Sequence, residues 1–263
     1  MRVVLETLKT SAPNGFKIRF ADEVSWQPEI LSTLFLDRVR WACANAATQG
    51  HFFRARSRST AFGLMNSWGS ATASLFIYLL QEIRDAFSKR HFSSRHRQVS
   101  RKHSVAWKQF VTASSSEWLL VLEDDALFTK VGPKGLWEIL QEVEGWPSKN
   151  SCFLLLSEGL PLETLKIKDQ DFEETSPRLN ATRFPFTNTA AAYLINRSMA
   201  THFVETLREK PALAYNTIDF LITNLMLRLR LDGINSEISC HHSTKPPFQN
   251  ASINGGYSSL ISS

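Results

Sequence analysis

Apolar positions along this chain recur in two rhythms, short unbroken runs and stripes spaced three or four residues apart. The run Trp118-Leu-Leu-Val-Leu122 has the length and make-up of a strand buried on both faces. Residues 152–156 and 189–195 have the same character, and 233–240 predicts a last strand leading to His241 and His242. Between the runs the spacing becomes helical. Ile30, Leu34, Val39 and Trp41 predict a helix over about 28–47, with Pro28 suited to its first turn. Leu75, Leu79, Ile83 and Phe87 predict another over about 72–87. Trp107, Phe110 and Val111 give the stripe of a helix over roughly 104–114, with His103 one turn before Trp107 on the same side.

Further on, Gly132-Pro133-Lys134-Gly135 reads as a turn and 136–143 as a short helix stopped by Gly145 and Pro147. Asn196-Arg197-Ser198 reads as a turn and cap before a helix through Met199, Phe203 and Leu207. Ile218, Leu221, Ile222, Leu225 and Leu229 mark a helix capped by Asn216 or Thr217. Residues 2–8 and 16–20 are candidate strands around an Ala12-Pro-Asn-Gly15 turn. Strands alternating with helices argue for an α/β sandwich, with no internal repeat. The expectation is a single domain over 1–263, with a helical and basic insertion at about 54–102 and a flexible tail at about 243–263. Within the insertion, 88–100 reads as a surface loop or a frayed helix end. The acidic segment 163–177 reads either as an excursion at the rim of a site or as plain surface.

With 43% hydrophobic residues, disorder is excluded. Cys43, Cys152 and Cys240 are an odd set without metal-ligand spacing and read as reduced core thiols. Met1-Arg-Val-Val-Leu-Glu6 has no apolar stretch of the signal-peptide kind, and no run reaches the roughly 20 apolar residues of a membrane span. A cytoplasmic location is expected, at most peripheral to the inner face of the membrane. The sequons at Asn180, Asn196 and Asn250 are then chance matches. The net charge of +5 is concentrated. Arg54, Arg56 and Arg58 form one cluster; Lys89, Arg90, Arg95, Arg97, Arg101, Lys102 and Lys108 form another, interleaved with His91, His96 and His103. Such a field attracts phosphate, and the alternative is a solvated face.

Candidate chemistry gathers where the first run stops. Leu122 is followed by Glu123, Asp124 and Asp125, and in open α/β sheets ligands collect at the carboxyl ends of strands. On an extended chain Glu123 and Asp125 point to one side and Asp124 to the other. Three adjacent carboxylates are costly unless a cation compensates them, so the segment reads as a divalent-metal site, against the alternative of acids that merely end a strand.

These residues resemble a known family. His103, Trp107 and then Glu117-Trp118-Leu-Leu-Val-Leu-Glu123-Asp124-Asp125 are similar to the "SH…W…W-x-LVLEDD" pattern of glycosyltransferase family 25, the lipooligosaccharide and collagen galactosyltransferase group. Ala191-Ala-Tyr193-Leu-Ile195 and Thr217-Ile-Asp219-Phe-Leu221 resemble two later segments of that family. The resemblance covers about 99–240. Lys102 stands where the family usually has serine, and the usual Gly-Cys upstream is missing, so a divergent member or a related family of the same fold is implied.

The resemblance implies a GT-A-like (Rossmann-like) mixed sheet flanked by helices. It also implies transfer of a hexose such as galactose from a nucleotide sugar, a UDP-sugar foremost, to a hydroxyl of a glycan or glycolipid in surface polysaccharide or lipopolysaccharide synthesis. Mn²⁺ or Mg²⁺ would neutralise the leaving diphosphate. Asp125 would hold the metal with Asp124 and His242, while Glu123 or Asp124 would touch the ribose or a metal-bound water. His103 and Tyr193 would line the donor site. Asp219 would be the general base of an inverting transfer, against the alternative of an acid stabilising a helix N-terminus. His241 and His242 have the alternative of a hydrogen-bonded pair, and His103 that of a satisfied core residue. A nucleic-acid or polyanion-binding protein using 89–108 is the competing class. Two-metal phosphodiester chemistry lacks a second carboxylate group at a suitable spacing.

Overall fold

A computed structural model of the chain describes Leu8 and residues 92–146, 150–159, 168–187, 189–231 and 238–251. The expected elements at 2–8 (Leu8 apart), 16–20, 28–47 and 72–87, the Arg54–Arg58 cluster, most of the 54–102 insertion and the Gly255-Gly256 tail lie outside them. In chain order the described elements begin with α1 (Phe92–Ala113), β1 (Trp118–Leu122), β2 (Ala126–Phe128) and α2 (Gly132–Glu144). β3 (Ser151–Leu155), β4 (Phe172–Ser176), β5 (Leu179–Thr182) and β6 (Ala192–Asn196) follow. The series ends with α3 (Arg197–Glu209), α4 (Ile218–Leu231), β7 (Ile238–Ser243) and β8 (Phe248–Asn250). Short 3₁₀ turns stand at Asp169–Asp171 and Pro211–Tyr215.

Contacts divide the chain into two units. The first, 1–21 with 106–201 and 235–263, holds every described strand together with α2. Its six-stranded sheet has the order β1-β6-β3-β7-β5-β4, and β2 and β8 form a separate pair. β6 runs antiparallel to both β1 and β3, whereas β3 and β7 are parallel. β1, β3 and β7 therefore point the same way, and the mixed sheet brings their carboxyl ends to one edge.

β3 and β6 are buried along their whole length, as their apolar runs demand, whereas β1, expected to be buried on both faces, lies at the sheet edge and is only half-buried. On one face Leu136, Ile139 and Val143 of α2 pack on Cys152, Leu154, Leu156, Ala192 and Leu194, with Trp118, Leu120 and Leu122 at the margin. On the other, Phe153 stacks on Tyr193 with ring centres 5.2 Å apart. The second unit, 22–105 with 202–234, contains all of α4, whose Leu221, Ile222, Leu225 and Leu229 form the expected buried stripe. Within it Ser100 Oγ donates to the Asn216 carbonyl at 2.7 Å. The Asn216 amide closes the preceding 3₁₀ turn on Leu213 O at 2.9 Å.

Several boundaries differ from those the sequence predicts, among them β6, which runs 192–196 and not 189–195. α1 begins at Phe92, so residues 92–100, expected as a surface loop or a frayed helix end, are helical; the segment carries no proline or glycine to stop a helix. Gly132-Pro133 opens α2 instead of a turn, since proline costs nothing where the first amide has no partner. Part of the acidic 163–177 segment forms β4, which pairs with β5 in a hairpin at the sheet edge and exposes Glu173 and Glu174. Residues 243–251, read as the start of a flexible tail, include β8, whose Phe248 is fully buried and stacks on Phe128 at 4.8 Å.

Gly132 is where α2 meets β2. A Cβ there would lie 2.6 Å from both Cβ and Cδ1 of Phe128. Gly132→Ala is therefore expected to cost about 1–3 kcal/mol by overpacking, read as a lowered urea midpoint. An unchanged midpoint would mean that β2 yields freely.

The candidate active site at the carboxyl end of β1

β1 delivers its acids into a turn. The Glu123 amide still follows the sheet ladder, donating to Ala191 O at 2.8 Å, but the Ala126 amide donates back to Glu123 O at 3.2 Å. Asp124 and Asp125 are thus the central pair of a turn, not part of an extended strand, and the expected side-to-side alternation does not hold. Asp124 is exposed, Glu123 half-buried, and Asp125 only 9% exposed.

The turn is fixed from three directions. The Ala251 amide donates to Asp125 O at 3.0 Å, just beyond β8. β8 pairs with β2 on one side and with the end of β3 on the other: Phe248 N donates to Leu156 O at 3.1 Å and Glu158 N to Phe248 O at 2.9 Å. Ser157 Oγ lies 3.3 Å from Ala192 O and 3.2 Å from Ala192 N, replacing the ladder bonds that β3 no longer makes. Ser157, Glu158 and Ala251 are not among the site residues expected from the sequence. They follow the β3 and β8 runs directly, so carrying the carboxyl-end rule from β1 to every parallel strand would have found Ser157 and Glu158.

Tyr193 is wholly buried, and its hydroxyl accepts a 2.9 Å bond from Trp107 Nε1. It positions β6, the strand between β1 and β3, and presents no free face to a ligand. Tyr193→Phe leaves a buried indole N–H to be satisfied, so a loss of about 1–3 kcal/mol is expected in chemical denaturation. A loss below half a kilocalorie would show the bond to be dispensable.

His241 and His242 lie within β7, not after it, and so face opposite sides of the sheet. The His241 ring rests on Trp146 at 4.7 Å, with Nδ1 3.4 Å from Thr175 Oγ1. The His242 ring is enclosed by Phe186 at 4.4 Å and Phe172 at 5.7 Å, and its Nε2 lies 3.1 Å from Phe186 O. Burial pushes both rings down to about 4; for His242 the Phe186 carbonyl opposes the effect and His241 adds to it. His242, expected as a metal ligand, is therefore a neutral ring with Nε2 donating to a carbonyl. Burial likewise pushes Cys152 up to about 12 and Cys240 up to about 11, so neither thiol is a nucleophile at neutral pH.

His103 and Asp219 belong to the second unit. His103 is buried on α1, while Asp219 is half-buried in the first turn of α4. Arg197, which the sequence reading took as a turn residue, is structural: its guanidinium donates to Val111 O at 3.2 Å and to Ser114 O and Ser116 O at 2.7 Å, closing the end of α1. Asn196 is 1% exposed, and its Oδ1 accepts from Cys152 N and Met199 N at 3.0 Å, so its sequon is closed to modification in the fold.

Among the described residues, no three His, Cys, Asp or Glu side chains are grouped to hold a metal unaided. The acid turn nevertheless fits a hard cation. Mg²⁺ and its like commonly take one or two carboxylates and fill the remaining positions with phosphate oxygens and water. Asp125 and Asp124 supply such oxygens, and His242 does not fit. No family model, no curated protein and no solved structure matches the chain.

Proposed function

We propose that this protein is a metal-dependent glycosyltransferase of the GT-A type, moving a hexose from a nucleotide sugar to a hydroxyl of a glycan or glycolipid in surface polysaccharide synthesis. One observation carries the reading: a fully apolar strand ends in a tight turn of three carboxylates, one of them buried, at the carboxyl edge of a mixed sheet. The likeness of Trp118–Asp125 to the family 25 pattern supports it.

In this reading Asp125 and Asp124 would hold Mn²⁺ or Mg²⁺, whose charge would offset that of the departing diphosphate. Glu123 binds the donor ribose. Tyr193 keeps β6 in place beside the donor site, and the likeness to the family 25 pattern assigns His103 to the donor as well. In an inverting transfer the acceptor oxygen bonds to the anomeric carbon as the bond to diphosphate breaks, and the acceptor proton passes to a base. The likeness of Thr217–Leu221 to a segment of family 25 gives that role to Asp219. Asp219→Asn should then lower kcat about a hundredfold with donor binding retained; if Asp219 serves only the helix dipole, stability moves by under about 1 kcal/mol and turnover stays.

The reading is tested by a thermal-shift series of nucleotide sugars with and without Mn²⁺. A UDP-sugar at a hundred times its Kd should add about 2.7 kcal/mol of stability, and only with the metal present. If no nucleotide sugar shifts the melting temperature under either condition, the proposal fails.

A further inference from the structure

We infer that α1 is the face by which this protein docks on an anionic membrane surface, its cations meeting lipid phosphates. The choice of a lipid partner rests on the glycolipid acceptor proposed above; the surface itself is independent of that reading. α1 is 22 residues long and contains Arg95, Arg97, Arg101, Lys102 and Lys108 without one Asp or Glu.

Its other side is committed to the interior. Ser100, His103, Trp107 and Phe110 are all buried, and the Ser100 hydroxyl is held by Asn216 O. These contacts fix the rotation of the helix about its axis, so the cations cannot turn inward. Arg101, Lys102 and Lys108 are exposed, and among the described residues none of the three forms an ion pair. Arg101 and Lys108, seven residues apart, share one stripe at roughly 10 Å along the axis, and Lys102 flanks them.

A row of like charges without an intervening acid repels itself until an anionic partner approaches. A lipid plane suits a straight row fixed on one side of a helix. Single-stranded nucleic acid suits it poorly, because such binding relies on exposed aromatic rings for stacking. The one large hydrophobic side chain exposed among the described residues is Val131, before α2.

The test is co-sedimentation of the full chain with vesicles of phosphatidylcholine alone and of phosphatidylcholine mixed with phosphatidylglycerol. Binding is expected to the mixed vesicles only. Each basic residue near an anionic surface strengthens binding about fivefold, so Arg101→Gln, Lys102→Gln and Lys108→Gln together should weaken it about a hundredfold. A control with the same loss of charge elsewhere, Lys130→Gln, Lys134→Gln and Lys168→Gln, should bind like the wild type. If the α1 triple variant does not fold, the single variants Lys102→Gln and Lys108→Gln carry the test, each with about a fivefold loss.

The inference is overturned if the wild type ignores phosphatidylglycerol, if the α1 variants bind undiminished, or if the control loses as much as the α1 variant. Displacement from vesicles by duplex DNA or RNA at equal phosphate would assign the surface to nucleic acid and overturn it as well. The nucleotide-sugar thermal shift reports separately: vesicle binding without a donor shift discards the transferase reading and keeps the docking surface, and the converse result does the reverse.

Discussion

Asp125→Asn is expected to abolish Mn²⁺-dependent nucleotide binding and to lower sugar transfer about a thousandfold, the scale of losing one preorganised charge at a departing group. Asparagine keeps the shape of the side chain, and the main-chain bond from Ala251 to Asp125 O does not involve the carboxylate, so the turn should survive. Calorimetric titration with UDP at several Mn²⁺ concentrations separates the effects. A variant that still binds UDP with the wild-type metal requirement would remove Asp125 from the metal site. Asp124→Asn, at an exposed position, should give a smaller loss of the same kind.

Acid should destabilise this fold well before most carboxylates are protonated. His241 and His242 titrate near 6.5 when unfolded and near 4 when folded, because both are buried without a charge partner. Between those values the unfolded chain binds protons that the folded chain refuses. Stability from the pair is therefore complete above pH 6.5 and is lost as pH falls toward 4. Shifts of this size correspond to roughly 3 kcal/mol for each ring. Urea midpoints measured from pH 7 to pH 4 should fall steeply, and more shallowly in a double His→Gln variant. Parallel slopes in the two proteins would show that the histidines take no part.

The legibility of this chain followed how each segment is buried. The bounds of residues 118–122 are legible because all five letters are apolar, even though β1 is a half-buried edge strand whose Trp118, Leu120 and Leu122 pack on the core. α4 was read because its buried side repeats at helical spacing. β4 escaped because an edge strand buries little, and Phe172-Glu-Glu-Thr-Ser176 looks like surface. The end of β7 escaped for the opposite reason. Two histidines look like solvent-seeking residues, yet here Trp146 covers one and Phe186 the other. At the site, the acids were visible as a cluster, but the turn that separates Asp124 from Asp125 depends on Ala191 and Ala251, which no local pattern announces.

The pairing of β2 with β8 also bears on synthesis. Thr129 is joined to Pro246 across 117 positions by its hydroxyl, and again by its amide to Pro247. As the chain leaves the ribosome, β1 and the acid turn emerge long before the strand that holds them. Until residues 246–251 follow, β2 carries an unpaired edge, and the three carboxylates stay on a half-built support. The acid turn is thus among the last parts of the described fold to gain its full support.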